Sequence, residues 1–439
     1  MLNLAVDLLK KEGAEGLVYR VSEISRSVSS NIEGPEKIIE RVRDGIGIVV
    51  IKDGRRVFVN VSNPTEESVK SAIKQAVEMV AFTEPDEGNA VSDEKDFREM
   101  KGLYWDGVES LDLAKLKEVS LTMVEKARQY DERIKFIRGA SISVDIVEYE
   151  IATTKGVHKG YKLSMVDAGT MCSAIDKSGG SMGYQWRSGR TLDDVDPLGV
   201  AEAAAKQAVE GLGAEVEKTG VYDVVFDPST IAMLFFYAYL PFSGEEVFKK
   251  SSFLKPDDIG KRLFSEKVSL VNDPTDPRLI GSIPFDSEGT NTRKFYIVEN
   301  GVLKSFMHNL YSAKRLNMEP TGNAIARSFK REPSIMPLNM RLEANSKREE
   351  VLQSVKKGIY VNHMMGVHTL DPVSGRFSVQ ISGFLIENGS FVKPVRGMAL
   401  SGYLKDFLNG VDLIANDYVH YGIFSGSTTL VRGLSVGGK

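Results

Sequence analysis

The segment Gly281–Asn323, GSIPFDSEGTNTRKFYIVENGVLKSFMHNLYSAKRLNMEPTGN, crowds Asp286, Glu288, His308 and Asn309 around chain reversals. Two carboxylates two residues apart, followed by a His-Asn pair, are the residue types of general acid–base catalysis once a cleft perturbs their pKa values. They are equally the types that hold turns together, because an Asp side chain accepts hydrogen bonds from backbone just beyond it. Loops supported by a scaffold carry binding and catalytic groups more often than core positions do, which makes the segment the first place to look for a functional surface.

Other chemistries are less well furnished. The five histidines are His158, His308, His363, His368 and His420, and none is followed by Glu, so the His-Glu-x-x-His zinc motif is absent. His363 and His368 form the one close pair. A spacing of five puts them roughly 140° apart on a helix and on opposite faces of a strand, so they converge only around a kink. Gly179-Gly180-Ser181-Met182-Gly183 matches a nucleophile elbow literally, but that mechanism needs a helix after the serine, and YQWRSGRTLDD has no helical stripe. Cys172, the only cysteine, has no cationic neighbour to make it a thiolate and reads as a buried structural thiol. No Gly-rich phosphate loop occurs. Glu245 and Glu246 follow an apolar helix directly and complete the carboxylate candidates.

The elements that must position these groups fall into three units, 1–90, 91–217 and 218–439. In the first, Leu2, Ala5, Leu8 and Leu9 mark a helical face, and Ile46–Val61 alternates around Asp53-Gly54, a type I′ hairpin signal. Asn63-Pro64 is expected to open a helix with Val69, Ala72, Ile73, Ala76, Val77 and Val80 inward. The acidic stretch Glu84–Met100 has no periodicity and reads as a linker or irregular crossover. In the second unit Ser110 is the expected N-cap of a helix, ASISVDIVEYEIATTKG alternates as a half-buried antiparallel strand, a Gly-rich meander runs to Arg190, and Asp196-Pro197 starts another helix. In the third, the strand VYDVVFDP leads into STIAMLFFYAYL, apolar on every face and therefore expected at the domain centre, with Pro241 stopping it. Asn345 is expected to cap a short helix through Lys357, and Gly410 to close another around Leu404–Leu408. Two Glu-Asn-Gly hairpins, in Phe295–Phe306 and Phe384–Val395, make this unit antiparallel and β-rich. The expected fold is α+β: N-terminal units with antiparallel sheets, then a β-rich C-terminal domain around a buried helix.

Length and composition set limits. The chain has 439 residues with a net charge of −4, and no basic cluster marks a nucleic-acid footprint. No stretch approaches the length of a membrane span. The amphipathic start MLNLAVDLLKKEGAEG lacks a signal peptide's apolar core, and a single cysteine suits a reducing compartment, so a cytoplasmic location is expected.

The opening segment, with DPVSGRFSVQISGFLIENG (Asp371–Gly389), LSGYLKDFLNGVDLIANDY and the C-terminal GLSVGGK, resembles the PmbA/TldD family, also called modulators of DNA gyrase. The resemblance implies a paired system. The TldD branch carries His-Glu-x-x-x-His on a helix near the start of the third unit and a Cys ligand near the C-terminus, and is a metalloprotease acting on flexible peptides with a PmbA (TldE) partner. The corresponding helix here, STIAMLFFYAYLPFSGEEVFKKSS, has no histidine, and no cysteine lies near the C-terminus. The chain thus resembles the PmbA (TldE) branch. That branch implies a subunit with no catalytic residue, no metal and no cofactor of its own. Its expected partners are a metal-bearing homologue or a second copy of itself, and an unstructured peptide. Asp286, Glu288, His308 and Asn309 are then expected to shape a peptide cleft or a subunit interface. The alternatives are an enzyme using Asp286, Glu288 or His308 in non-metal acid–base chemistry, and a protein that binds gyrase or DNA.

Overall fold

Six extended segments build a single antiparallel sheet in the first half of the chain, in a computed structural model that describes all residues Met1–Lys439. Its strands are β1 (Glu15–Asn31), β2 (Gly34–Lys52), β3 (Arg55–Ser62), β4 (Ile134–Thr153), β5 (His158–Asp176) and β6 (Gly179–Gly189), in the spatial order β3-β2-β1-β4-β5-β6. The β2–β3 hairpin turns at Asp53 and Gly54, both at positive φ, with Lys52 opposite Arg55 as the Asp-Gly signal predicts. The strands of units 1–90 and 91–217 share this sheet, because β1 pairs with β4 from Leu17↔Thr153 to Ser30↔Ala140.

Helices cover only one face. α1 (Leu2–Lys11) and α2 (Glu66–Val80) pack on Val18, Ile46, Ile48 and Val50. α3 (Leu113–Tyr130) and α5 (Pro197–Glu210), the latter preceded by the one-turn α4 (Leu192–Val195), pack on Val28, Ile142, Val144, Val166 and Ala168. Two caps differ from expectation. Thr65, whose Oγ1 accepts from Ser68 N–H at 3.2 Å, starts α2 in place of Asn63, which sits at positive φ. Asp112, accepting from Lys115 N–H at 2.8 Å, starts α3, while Ser110 ends the preceding 3-10 turn. Asp196 caps α5 as expected, accepting from Gly199 N–H at 3.0 Å.

The opposite face is apolar at one end, with Leu17, Tyr19, Val21, Val49, Ile51, Tyr149 and Ile151, and the third unit docks there. That unit is a small barrel. β7 (Gly220–Phe226) runs parallel to strand Lys357–Met365; antiparallel strands Arg376–Glu387, Ser390–Tyr403 and Thr429–Gly437 follow, and the last returns to β7. Closure removes the free edges of these five strands. Parallel neighbours require a crossover, and here it comprises the whole of residues 227–356. It begins with α6 (Pro228–Ala238), capped by Asp227, whose Ile231, Leu234 and Phe235 sit in the same core as the barrel residues Val224, Phe226 and Val361. The helix is not buried on every side: Phe236 is exposed. Asn345 does not cap a helix; its Oδ1 accepts from Ile414 N–H at 2.8 Å, and the helix spans Arg348–Gln353. Both Asn-Gly hairpins are present, with Asn300, Gly301, Asn388 and Gly389 at positive φ. No helix is long and apolar enough to cross a membrane.

α5 approaches β6 closely because Gly183 has no side chain: a Cβ there would lie 2.0 Å from Ala204 O. Gly183→Ala is expected to lower the unfolding free energy by about 2 kcal/mol through overpacking. Urea denaturation checks this, and a midpoint equal to that of the parent would show that α5 can shift at no cost.

Candidate functional site

The acidic turn expected at a surface lies inside the protein. Asp286, Glu288, His308 and Asn309 are 1%, 3%, 1% and 5% exposed. Asp286 Oδ1 accepts from the N–H groups of Glu288 (2.9 Å) and Thr290 (3.0 Å), and Oδ2 accepts from Ala324 N–H at 2.9 Å. Glu288 Oε2 accepts from Leu310 N–H at 2.7 Å. Asn309 caps the helix Leu310–Leu316, accepting from Ser312 N–H at 2.8 Å, and its amide reaches Glu245 Oε2 at 3.4 Å. His308 shares a 3.1 Å hydrogen bond between Nδ1 and Ser312 Oγ. The structure therefore brings the four residues into one buried region but not into a cleft. The carboxylate oxygens face backbone donors, which is the commoner use of an Asp in a turn.

The neighbourhood explains why burial is tolerated. Phe285 packs edge-on to Tyr161 at 5.1 Å between ring centres and joins Tyr149 and Phe97. Lys159, buried on β5, donates to Gly289 O at 3.0 Å and to Asn291 Oδ1 at 3.2 Å. Nearby, the buried Arg190 guanidinium donates to five carbonyl oxygens: Ser164, Pro277, Leu279, Ile280 and Ser282, at 2.9–3.2 Å. These contacts join the sheet to the crossover. Burial raises the Asp286 pKa, with the Glu288 charge adding to it, and burial likewise raises Glu288. Burial lowers His308 to about 4, so its imidazole is neutral.

The remaining candidates stay apart. Ser181 lies within β6, with no helix following it as an elbow needs. Cys172 is buried, and burial pushes its thiol up to about 12. His363 is on strand Lys357–Met365, whereas His368 is in a 3-10 turn beside Tyr237. Glu245 pairs with Lys249 at 2.6 Å.

An open groove lies elsewhere, between β6 and the start of the crossover. β6 is the outer strand of its sheet, and no strand pairs with its far side. Its Tyr184 N–H points away from β5 and donates to Gln207 Oε1 at 3.0 Å. By strand alternation the main chain of Met182 and Trp186 points the same way. Beside it, Tyr184, Trp186, Met233, Phe236, Tyr237 and Tyr421 line a cavity of about 320 Å³. Three of these are on α6, the helix expected to carry metal ligands in the metal-bearing branch. No His, Cys, Asp or Glu lines this cavity, so its walls do not fit a zinc ion, and no three such side chains anywhere in the chain are grouped to hold one. The aromatic groove went unread in the sequence because this stretch reads as a Gly-rich meander; the period-two series Met182, Tyr184, Trp186 is the signal that marks it as a strand.

Comparison with known proteins accords with this architecture. The chain matches the PmbA/TldA metallopeptidase C-terminal domain over residues 219–438, the central domain over 106–212 and domain 1 over 18–80. A Haemophilus influenzae protein named metalloprotease PmbA homolog is 28% identical, over 100% of this chain and 95% of its own length. A Thermotoga maritima structure whose name calls it a modulator of a DNA gyrase aligns with a TM-score of 0.90 at 25% identity, covering 99% of this chain and 98% of that one. TldE from Thermococcus kodakarensis has the same fold, with a TM-score of 0.88 at 23% identity over 99% of this chain and all of that one.

A carboxyl group whose folded pKa is raised binds its proton more tightly in the folded state, so its contribution to stability is complete below the ordinary carboxylate range and declines as pH rises through the folded value. The unfolding free energy of this chain is expected to carry such a decline above about pH 4 from the Asp286–Glu288 pair. Asp286→Asn places an amide against backbone donors and is expected to cost about 3 kcal/mol at neutral pH while flattening that decline. Denaturant titrations from acid to neutral pH on both proteins test this; parallel curves would refute it.

Proposed function

The chain belongs to the PmbA/TldA metallopeptidase family, and from that premise we propose that it is the non-catalytic subunit of a peptidase pair, holding an extended peptide for a metal-bearing homologue. The observation that carries this reading is the surface of α6. Where the metal-bearing branch is expected to place its ligands, this chain presents Met233, Phe236 and Tyr237 to an aromatic cavity. A catalytic zinc takes about three protein ligands and a base for its water, and this donor set supplies neither.

The adjoining edge of β6 supports the peptide half of the reading. An unpaired strand edge is a template for an added strand, whose main-chain hydrogen bonds bind any sequence in extended form. Tyr184 and Trp186 then offer apolar contact to alternate side chains, a selectivity for bulky residues rather than for one motif. Both features suit a substrate that is flexible rather than folded. A cytoplasmic location and the pairing with a homologue belong to the same proposal.

Two measurements test it. Mixing the purified chain with its metal-bearing homologue is expected to produce chelator-sensitive cleavage of an unstructured peptide that neither chain achieves alone; chelator-sensitive cleavage by this chain unaided would overturn the reading. Met182→Pro removes an outward N–H from β6 and is expected to weaken peptide binding roughly tenfold, the loss of one or two main-chain hydrogen bonds. Unaltered peptide affinity in the folded variant would place the peptide elsewhere.

A further inference from the structure

A second cavity of about 420 Å³ lies at the start of β6, between that strand and the barrel strands, and shares no lining residue with the aromatic cavity. Its walls differ from those of the aromatic cavity. Polar groups from separate elements converge on it: Ser181 from β6, Asn362 and His363 from strand Lys357–Met365, Gln380 and Ser382 from strand Arg376–Glu387, and Arg396 from strand Ser390–Tyr403. The side chains of Ser181, Asn362, His363, Gln380 and Ser382 have no hydrogen-bond partner in the protein; the bond at Asn362 is to its backbone carbonyl, which accepts from Gln207 at 2.9 Å. Arg396 makes one hydrogen bond, to Gly180 O at 3.1 Å, and no ion pair, which leaves most of its five donors free. No Asp or Glu lines the cavity. Arg396 is the only Arg or Lys on its wall, and burial lowers the His363 pKa. Val216, Phe384 and Val395 supply an apolar wall.

A cavity with a free guanidinium, several open hydrogen-bonding side chains and no carboxylate is complementary to an anion, and a guanidinium fork matches a carboxylate in particular. We propose that this cavity receives the C-terminal carboxylate of a peptide, with its last, apolar side chain against Phe384 and Val395. This rests on the reading of β6 as the peptide-pairing strand, since Met182 lines this cavity and Tyr184 and Trp186 line the other. The peptide's terminus is then fixed at one end of the strand, so the chain selects free C-terminal ends and sets which bond, counted from that end, reaches the partner subunit.

Two probes separate this inference from the reading beneath it. The first is a labelled extended peptide ending in Phe, prepared as the free acid and as the C-terminal amide, measured by fluorescence anisotropy with the full chain. The acid is expected to bind about tenfold tighter. Arg396→Gln, at an exposed position, is expected to weaken binding of the acid about tenfold and so bring acid and amide to similar affinities. Equal binding of acid and amide overturns the carboxylate site and leaves strand pairing intact. The second probe is N-acetylphenylalanine against its amide by titration calorimetry, since this ligand is too short to pair with β6. Arg396-dependent binding of the acid alone supports the cavity even where the long peptide fails to bind; no binding of the acid overturns it.

Discussion

The Asp286 carboxyl group receives N–H donors from its own turn and from Ala324, 38 residues later, in a region with almost no solvent access. A buried carboxyl group left without such donors would cost several kcal/mol, so this region can be dry only when the turn and the Ala324 backbone are both in place. That condition ties two distant parts of the crossover together. It also fixes Phe285 among Tyr149, Tyr161 and Phe97, and Gly289 and Asn291 against Lys159 of the sheet. With Arg190 gripping the carbonyls of residues 277–282, the crossover becomes a rigid plate between sheet and barrel.

That plate has a functional consequence. The sheet carries helices on one face only, and the third unit covers part of the other, leaving β6 as an edge without a partner strand beside α6 and the barrel, its Tyr184 N–H held by Gln207. The groove is therefore a product of docking rather than of any one loop. In this member of the PmbA/TldA metallopeptidase family, Met233, Phe236 and Tyr237 of α6 face an aromatic cavity whose wall carries no His, Cys, Asp or Glu. The two cavities along β6 differ in chemistry, one aromatic and one polar with an unpaired cation, and this difference would give an extended ligand a direction.

Much of the fold was legible locally. The β2–β3 hairpin, the Asp196 cap, both Asn-Gly turns and the stripe of α2 come from short-range patterns, because turn and cap chemistry is decided within a few residues. The misassigned caps fail for an instructive reason. Asn63, Ser110 and Asn345 each lie close to a helix start, but Thr65 and Asp112, slightly further along the chain, are better placed, and Asn345 is engaged by Ile414 from another strand. The acidic turn was found in the right place and given the wrong environment. Its hydrogen-bonding capacity is visible in the residue types; whether the donors are water, a ligand or Ala324 is not.

The sequence by itself determined the hairpins, several of the strands and helices with the apolar face of each, and the absence of a His-Glu motif on the apolar helix, since each depends on residue identity and near spacing. Only the tertiary structure decided that Asp286, Glu288, His308 and Asn309 are interior, that β1 through β6 form a single sheet, and that the open valences gather around Ser181, Asn362, Gln380, Ser382 and Arg396. The physical reason is that burial and convergence are long-range quantities. They are set by which faces meet when the barrel closes and the crossover docks, and residues far apart in the chain share the outcome.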